Sequence, residues 1–180
     1  MSAFFTIGHS NRSVEELVEL LVDAGVRRVV DVRAFPRSYT HPQFNEDVLP
    51  LSLAPSDISY EHLSPLGGRR GKSKTVPSGV NGFWSNPSFH HYADYALSDA
   101  FRAGLDDLIA RGHASCCAIM CSEAVWWRCH RRIITDYLIT RGETVCHILG
   151  RRHVDEARLT VGAVPQADGN IFYPAAAPMA

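Results

Sequence analysis

The stretch Cys121-Ser-Glu-Ala-Val-Trp-Trp-Arg-Cys-His-Arg-Arg132 decides how the chain is read. Before it, Ser115 to Met120 is short and apolar; after it, Ile133, Ile134, Tyr137 and Leu138 recur at helical spacing. That change of period predicts a strand, a turn and a helix. Open α/β sheets bind ligands at the carboxyl ends of their strands, so Cys121, Ser122 and Glu123 fall where such folds hold their chemistry.

Working outward, a first strand is expected over Ala3 to Ile7, followed by Gly8-His-Ser-Asn-Arg12 and a helix. Ser13 is its cap, Glu16 completes a capping box, Leu17, Leu20, Leu21 and Ala24 form its apolar stripe, and Gly25 ends it. Val26 to Val32 is the second strand, which makes a parallel, right-handed βαβ unit. These strands carry His9, Ser10 and Arg12, and Asp31, Arg33 and Arg37, to the same sheet edge as Cys121 to Glu123. Further on, a short helix is expected from Ser88. A longer one is capped by Ser98, buries Phe101, Leu105, Leu108 and Ile109, and stops at Gly112. The helix after the opening stretch runs to about Arg141, and Thr144 to Leu149 is read as the last strand. The expected fold is therefore α/β: a single domain over residues 1–149, a three-layer sandwich with a mainly parallel sheet. Residues 150–180, rich in Ala, Pro and Gly, are read as an extension in which Ile171-Phe-Tyr173 can dock.

Between Ala34 and Gly82, which hold six of the ten prolines, the regular pattern weakens and only Ile58 to Leu63 reads as a strand. A long irregular insertion over the carboxyl edge is expected, of the kind that forms lids and binding loops. Within it, Leu66-Gly-Gly-Arg-Arg-Gly-Lys-Ser-Lys74 has the makings of a phosphate clamp. Gly67 and Gly68 let backbone N–H groups approach an anion, while Arg69, Arg70, Lys72 and Lys74 neutralise it. A solvated loop is the competing reading.

A chain of 180 residues, 46% hydrophobic, is enough for one ordinary domain with a core, and its net charge of −1 argues against a protein that coats nucleic acid while allowing a local basic groove. Five cysteines without a framework spacing fit reduced intracellular thiols. There is no run of eighteen apolar residues and no signal-peptide pattern, so a cytoplasmic protein without membrane contact is expected.

Gly8-His-Ser-Asn-Arg12, Asp31-Val-Arg33 with Pro36-Arg-Ser38, Leu66-Gly-Gly68, and Met120-Cys-Ser-Glu123 with Cys129-His-Arg131 together resemble the domain of unknown function 488 family, over residues 4 to about 149. The resemblance implies a small α/β protein and supports the location of the site.

Glu123 is the preferred catalytic residue, in a joint where Trp126 and Trp127 would exclude water; Asp31 is the second carboxylate and His9 the third catalytic candidate. For Asp31 the competing reading is an ion pair with Arg33, Arg37 or Arg131. Ser10, Arg12, Arg33, Arg37, Trp126, Trp127, Cys121, Cys129, His130 and Arg131 are expected to hold the substrate, with His130 hydrogen-bonded to a strand-end loop. No metal or other cofactor is expected, because Cys129 and His130, if helical, point about 100° apart. Arginines, a clamp and paired tryptophans suit an enzyme that takes a base out of its stack. The partner is then DNA carrying a modified base, and the reaction hydrolysis of the N-glycosidic bond. With only Lys72 and Lys74 as lysines, both in the clamp, water is the expected nucleophile. Val29-Val-Asp-Val-Arg33 and the strand, Cys121, helix order also resemble a rhodanese, which leaves a thiol or sulfur-transfer enzyme using Cys121 as an alternative, although Ala-Val-Trp-Trp lacks the glycines of a sulfur cradle. A non-catalytic nucleotide or small-molecule binding protein is the third reading. The oligomeric state is left open.

Overall fold

The computed structural model describes residues 4–177. Ala3, the expected start of the first strand, lies outside them. Phe4–Gly8 (β1), Arg28–Asp31 (β2), Ser59–His62 (β3), Cys117–Cys121 (β4) and Val145–Gly150 (β5) run parallel, and His153–Glu156 (β6) is antiparallel, in the order β3-β2-β4-β1-β5-β6. All five residues of β4 are buried, as a central parallel strand covered on both faces requires. Its alternation sorts the two cores: Cys117, Ile119 and Cys121 enter one, Ala118 and Met120 the other.

The Ala118 face is covered by Val14–Asp23 (α1) and Leu49–Leu53 (α2), through Leu17, Leu20, Leu21, Leu49 and Leu53. Ser13 Oγ caps α1 by accepting from the Glu16 amide at 3.1 Å. The Glu16 carboxylate pairs with Arg12 at 3.1 Å. The opposite face is covered by Pro87–Tyr95 (α3), Asp99–Ala114 (α4) and Arg131–Thr140 (α5), whose Tyr92, Phe101, Leu105, Ile133, Ile134 and Leu138 pack on Phe4, Val30 and Ile119. The result is one domain of three layers. Among the described residues no helix is long and apolar enough to cross a membrane.

Three local expectations are corrected. α3 starts at Pro87 with Asn86 as its cap, which accepts from the Ser88 amide at 2.8 Å, because proline suits the first helical position better than a continuing loop. Gly112 does not stop α4 but lies within it, where an added Cβ would come 2.0 Å from the Phe4 ring, so it is a glycine of close packing. Thr144 to Leu149 is not the last strand. β6 follows in the main sheet, and Val164–Pro165 (β7) pairs with Ile171–Phe172 (β8). Every residue of β6 is exposed, so no apolar alternation announces it. Ile171 and Tyr173 are fully buried, and the Tyr173 hydroxyl donates to Asp136 at 2.8 Å.

Two histidines lie inside this frame. His147 of β5 sits 2.7 Å from Thr6 Oγ1 under the stacked Trp126 ring, and burial, helped by the charge of Arg131, lowers its pKa from 6.5 to about 4. His9 is likewise lowered to about 4 by burial, with Arg33 adding to the effect. The unfolded chain takes up these protons near pH 6.5 while the folded chain refuses them until about pH 4. Stability should therefore fall as pH drops through that window, by about 3 kcal/mol for each histidine. Urea unfolding at pH 7.5 and 4.5 measures the loss, and His147→Gln should flatten the slope; an unchanged slope in that variant contradicts the assignment.

Candidate active site in the crevice between β1 and β4

From β1 the chain goes through α1 to β2, and from β4 it goes through α5 to β5 on the other side. The crevice between the carboxyl ends of β1 and β4 is thus the switch point of the sheet, where α/β folds bind ligands. Gly8 and Cys121 are in register, and the ladder continues past them as the His9 and Ser10 amides donate to the Cys121 and Ser122 carbonyls at 2.9 Å. A cavity of about 740 Å3 opens there. That volume suits one nucleotide-sized ligand.

Of the residues expected to form the site, His9, Ser10, Arg33, Arg37, Gly68, Arg69, Cys121, Glu123, Cys129 and His130 line this cavity. Phe35, His41, Phe89, Tyr92 and Arg128 line it too and were not anticipated. Phe89 and Tyr92 both lie on α3, which packs against this edge of the sheet. Ser10 and Arg69 are two of four non-glycine residues with positive φ (48° and 56°) among those described. Such backbone conformations are costly and concentrate at functional sites.

The remaining expected residues stand elsewhere, and their roles are corrected. Asp31 is fully buried behind the wall: its carboxylate accepts from the Arg33 Nε at 3.0 Å, from Arg33 Nη2 at 2.5 Å and from the Tyr60 hydroxyl at 2.7 Å. With its acceptors filled, it holds Arg33 in place and has no access to a water. Arg131 is buried, and it donates to the Glu123 carbonyl at 2.5 Å and to Cys129 Sγ at 3.3 Å. It braces the loop from within. Trp126 stacks on the His147 ring at 4.4 Å and Trp127 is 46% exposed, so neither shields Glu123, which is itself exposed. Arg12 is tied to Glu16 and to the Gly8 and Leu149 carbonyls. Gly67 is packed against the Ser64 carbonyl and Ala34. Arg70 lies over the Tyr95 ring at 3.7 Å and donates to the Gly67 carbonyl at 2.9 Å, which steadies the loop. Lys72 and Lys74 are exposed outside the cavity.

Charge in the cavity is one-sided, with Arg33, Arg37, Arg69 and Arg128 facing a single carboxylate, Glu123. Asp31 neutralises Arg33, and Glu46 and Asp47 flank Arg37 at 3.4 and 3.5 Å. Among the described residues Arg128 and the Glu123 carboxylate have no ion-pair partner, and Arg69 only approaches the Phe35 ring. The cavity can therefore take an anion at its rim and keep one carboxylate free.

Hydrogen bonds fix two imidazoles. His9 Nδ1 is 2.9 Å from the Ser10 carbonyl, which can only accept, so Nδ1 carries the proton and Nε2 accepts from Arg33 Nη1 at 3.3 Å. His9 is thus a neutral positioning group, stacked on Phe44. His130 Nε2 donates to the Val32 carbonyl at 2.8 Å, so His130 holds to the loop after β2 and turns the lone pair of Nδ1 towards Cys129 Sγ, 3.6 Å away. Burial opposes a Cys129 thiolate, yet the bond from Cys121 and the charge of Arg131 bring its pKa down to about 6. Cys121, the donor in that bond and also buried, is pushed up to about 12. Arg131 donates to Cys129 Sγ through its amide at 3.5 Å and its Nε at 3.3 Å, so of the two sulfurs Cys129 is the one placed to carry negative charge.

Cys121, Cys129 and His130 offer ligand atoms all within 4.8 Å of one another. The expectation of no metal rested on a helix through Cys129 and His130. The helix begins only at Arg131, and Cys129 is extended, with φ −127° and ψ 147°, at the end of a short 3-10 turn over Trp126–Arg128. That break lets adjacent side chains converge.

Fold and crevice together define a small α/β protein with a cationic, cysteine-bearing cavity at its switch point. The family model described as Domain of unknown function DUF488 matches residues 13–138, and the chain belongs to that family. The matched segment contains Arg33, Cys121, Glu123, Cys129 and His130, while Gly8 and His9 precede it. No curated protein and no solved structure matches the chain.

Proposed function

We propose that this protein is a cytoplasmic hydrolase that processes a nucleic-acid base, breaking the N-glycosidic bond of a modified or damaged base in DNA. The observation that carries this reading is the free carboxylate of Glu123 in a cavity whose other charged side chains are the arginines Arg33, Arg37, Arg69 and Arg128. A flipped base needs flat apolar walls, which Phe35 and Phe89 offer in place of the tryptophans, and cations for its flanking phosphates, which Arg69 and Arg128 offer. Glu123 takes a proton from water and opposes the positive charge that develops on the sugar. The water oxygen bonds to C1′ as the C1′–N bond breaks, and the base leaves with the proton.

Oligonucleotides that each carry one modified base test the reading by chromatography of released base. Failure to release any base from a broad panel overturns it. The rim gives a second expectation. Arg69, Lys72 and Lys74 together replaced by alanine should weaken oligonucleotide binding and lower the salt slope by about 2 to 3, because fewer counterions are released. Arg70 is left in place because it braces the loop. An unchanged slope makes residues 66–74 a solvated loop.

The bonds from Arg131 to Cys129 Sγ favour a second reading, sulfur or thiol transfer, with the nucleophile moved from Cys121 to Cys129. It predicts turnover that survives loss of the Glu123 charge. Binding without any turnover would leave the nucleotide or small-molecule binding protein.

A further inference from the structure

Cys121 ends β4, while the adjacent Cys129 and His130 join the 3-10 turn to α5, so two segments meet with two sulfurs and one nitrogen. Zinc with Zn–S of about 2.3 Å and Zn–N of about 2.0 Å in tetrahedral geometry sets sulfur and nitrogen about 3.5 Å apart. Cys129 Sγ and His130 Nδ1 are 3.6 Å apart, and all three atoms lie within 4.8 Å. The surroundings are those that ligands receive. His130 is oriented by donating Nε2–H to the Val32 carbonyl, and Cys129 Sγ accepts from the Arg131 amide at 3.5 Å and from Arg131 Nε at 3.3 Å. Space is kept beside them, since a Cβ on Gly68 would stand 2.9 Å from His130 Nδ1.

We propose that Cys121, Cys129 and His130 bind a zinc-class divalent ion whose fourth position opens into the cavity. Two thiolates and one imidazole select a borderline-soft metal over magnesium or calcium. Three protein ligands with an open fourth position are the pattern of a catalytic zinc, which lowers the pKa of its bound water to about 7. All three ligands and Glu123 line one cavity. This deepens the hydrolase reading and rests on it for the water's role: the ion holds the attacking water, Glu123 accepts its proton, and the resulting hydroxide bonds to the carbon from which the leaving nitrogen departs with that proton. The same set of groups also removes an exocyclic amine from a nucleobase, as ammonia, in zinc deaminases.

Metal uptake is read without substrate, on the whole protein kept reduced, by titrating the metal-free form with Co2+ and by measuring bound Zn2+ per chain. One equivalent is expected, with thiolate-to-cobalt charge-transfer bands and the intense visible bands of a tetrahedral site. Cys121→Ser, Cys129→Ser and His130→Asn should each weaken binding at least about 100-fold, while Cys146→Ser, outside the cluster, keeps the spectrum. Thermal melting confirms that each variant is folded. Uptake far below one equivalent, bands that persist in Cys129→Ser, or a Cys121–Cys129 disulfide in place of metal each overturn the site. Free base and ammonia are measured on the loaded protein. Ammonia without free base keeps the metal and overturns the glycosidic reading; metal uptake without either product overturns only the hydrolase reading.

Discussion

Glu123→Gln is expected to abolish base release, by at least about 1,000-fold, with no change in the folded state. The amide keeps the shape of the side chain and its hydrogen-bonding reach, but it cannot take a proton from water or oppose a cationic sugar. Structural cost is excluded by position: the carboxylate is exposed and has no partner among the described residues, so stability should move by less than about 0.5 kcal/mol. What anchors the residue is its main chain, through the bond from Arg131 to its carbonyl, and the substitution leaves that bond intact. Single-turnover base release and thermal melting on the same preparation check the two halves. A Glu123→Gln protein that turns over like the wild type moves the chemistry to the Cys129 thiolate.

Gly8→Ala should be the most damaging small change in the chain. An added Cβ would lie 1.8 Å from the Glu123 carbonyl oxygen, 2.6 Å from its carbonyl carbon and 2.9 Å from Ala124 Cα. All three are backbone atoms, so no side-chain rotation relieves the clash. β1 or the loop after β4 must move, and the His9 and Ser10 amides that donate to the Cys121 and Ser122 carbonyls must move with it. A loss of about 3 kcal/mol or more follows, near 10 °C in melting temperature for a chain of this size. Activity should vanish even in folded material, because the loop that carries Glu123 is displaced. Gly71→Ala is the control: nothing lies within 4 Å of its Cβ position, and its effect should stay below about 0.5 kcal/mol. Equal melting temperatures for the two variants would contradict the close approach.

The frame was legible because its signals are local. Ser13 as cap, the spacing of Leu17, Leu20 and Leu21, and the apolar run into Cys121 give a strand, a helix and a strand end without any long-range knowledge. The strand ends in turn placed His9, Ser10, Cys121 and Glu123 on one edge. What failed depends on partners distant in sequence. Trp126 is turned away by a stacking partner on β5, and Asp31 is closed off by Tyr60 from β3. The convergence of Cys121, Cys129 and His130 depends on where a helix starts, which periodicity fixes only within a few residues. β6 is a polar edge strand and gives no periodic signal at all.

The bond from His130 to the Val32 carbonyl spans 98 residues of chain. It makes the tautomer of one side chain an outcome of long-range assembly. A fragment that begins after β3 contains Cys121, Glu123, Cys129 and His130, yet it has neither that carbonyl nor the glycine that admits the loop. During folding the same dependence sets an order, because pairing of β4 with β1 and β2 must precede a competent imidazole. Refolding followed by a Co2+ spectrum should therefore show the native tetrahedral bands arriving with the final native phase.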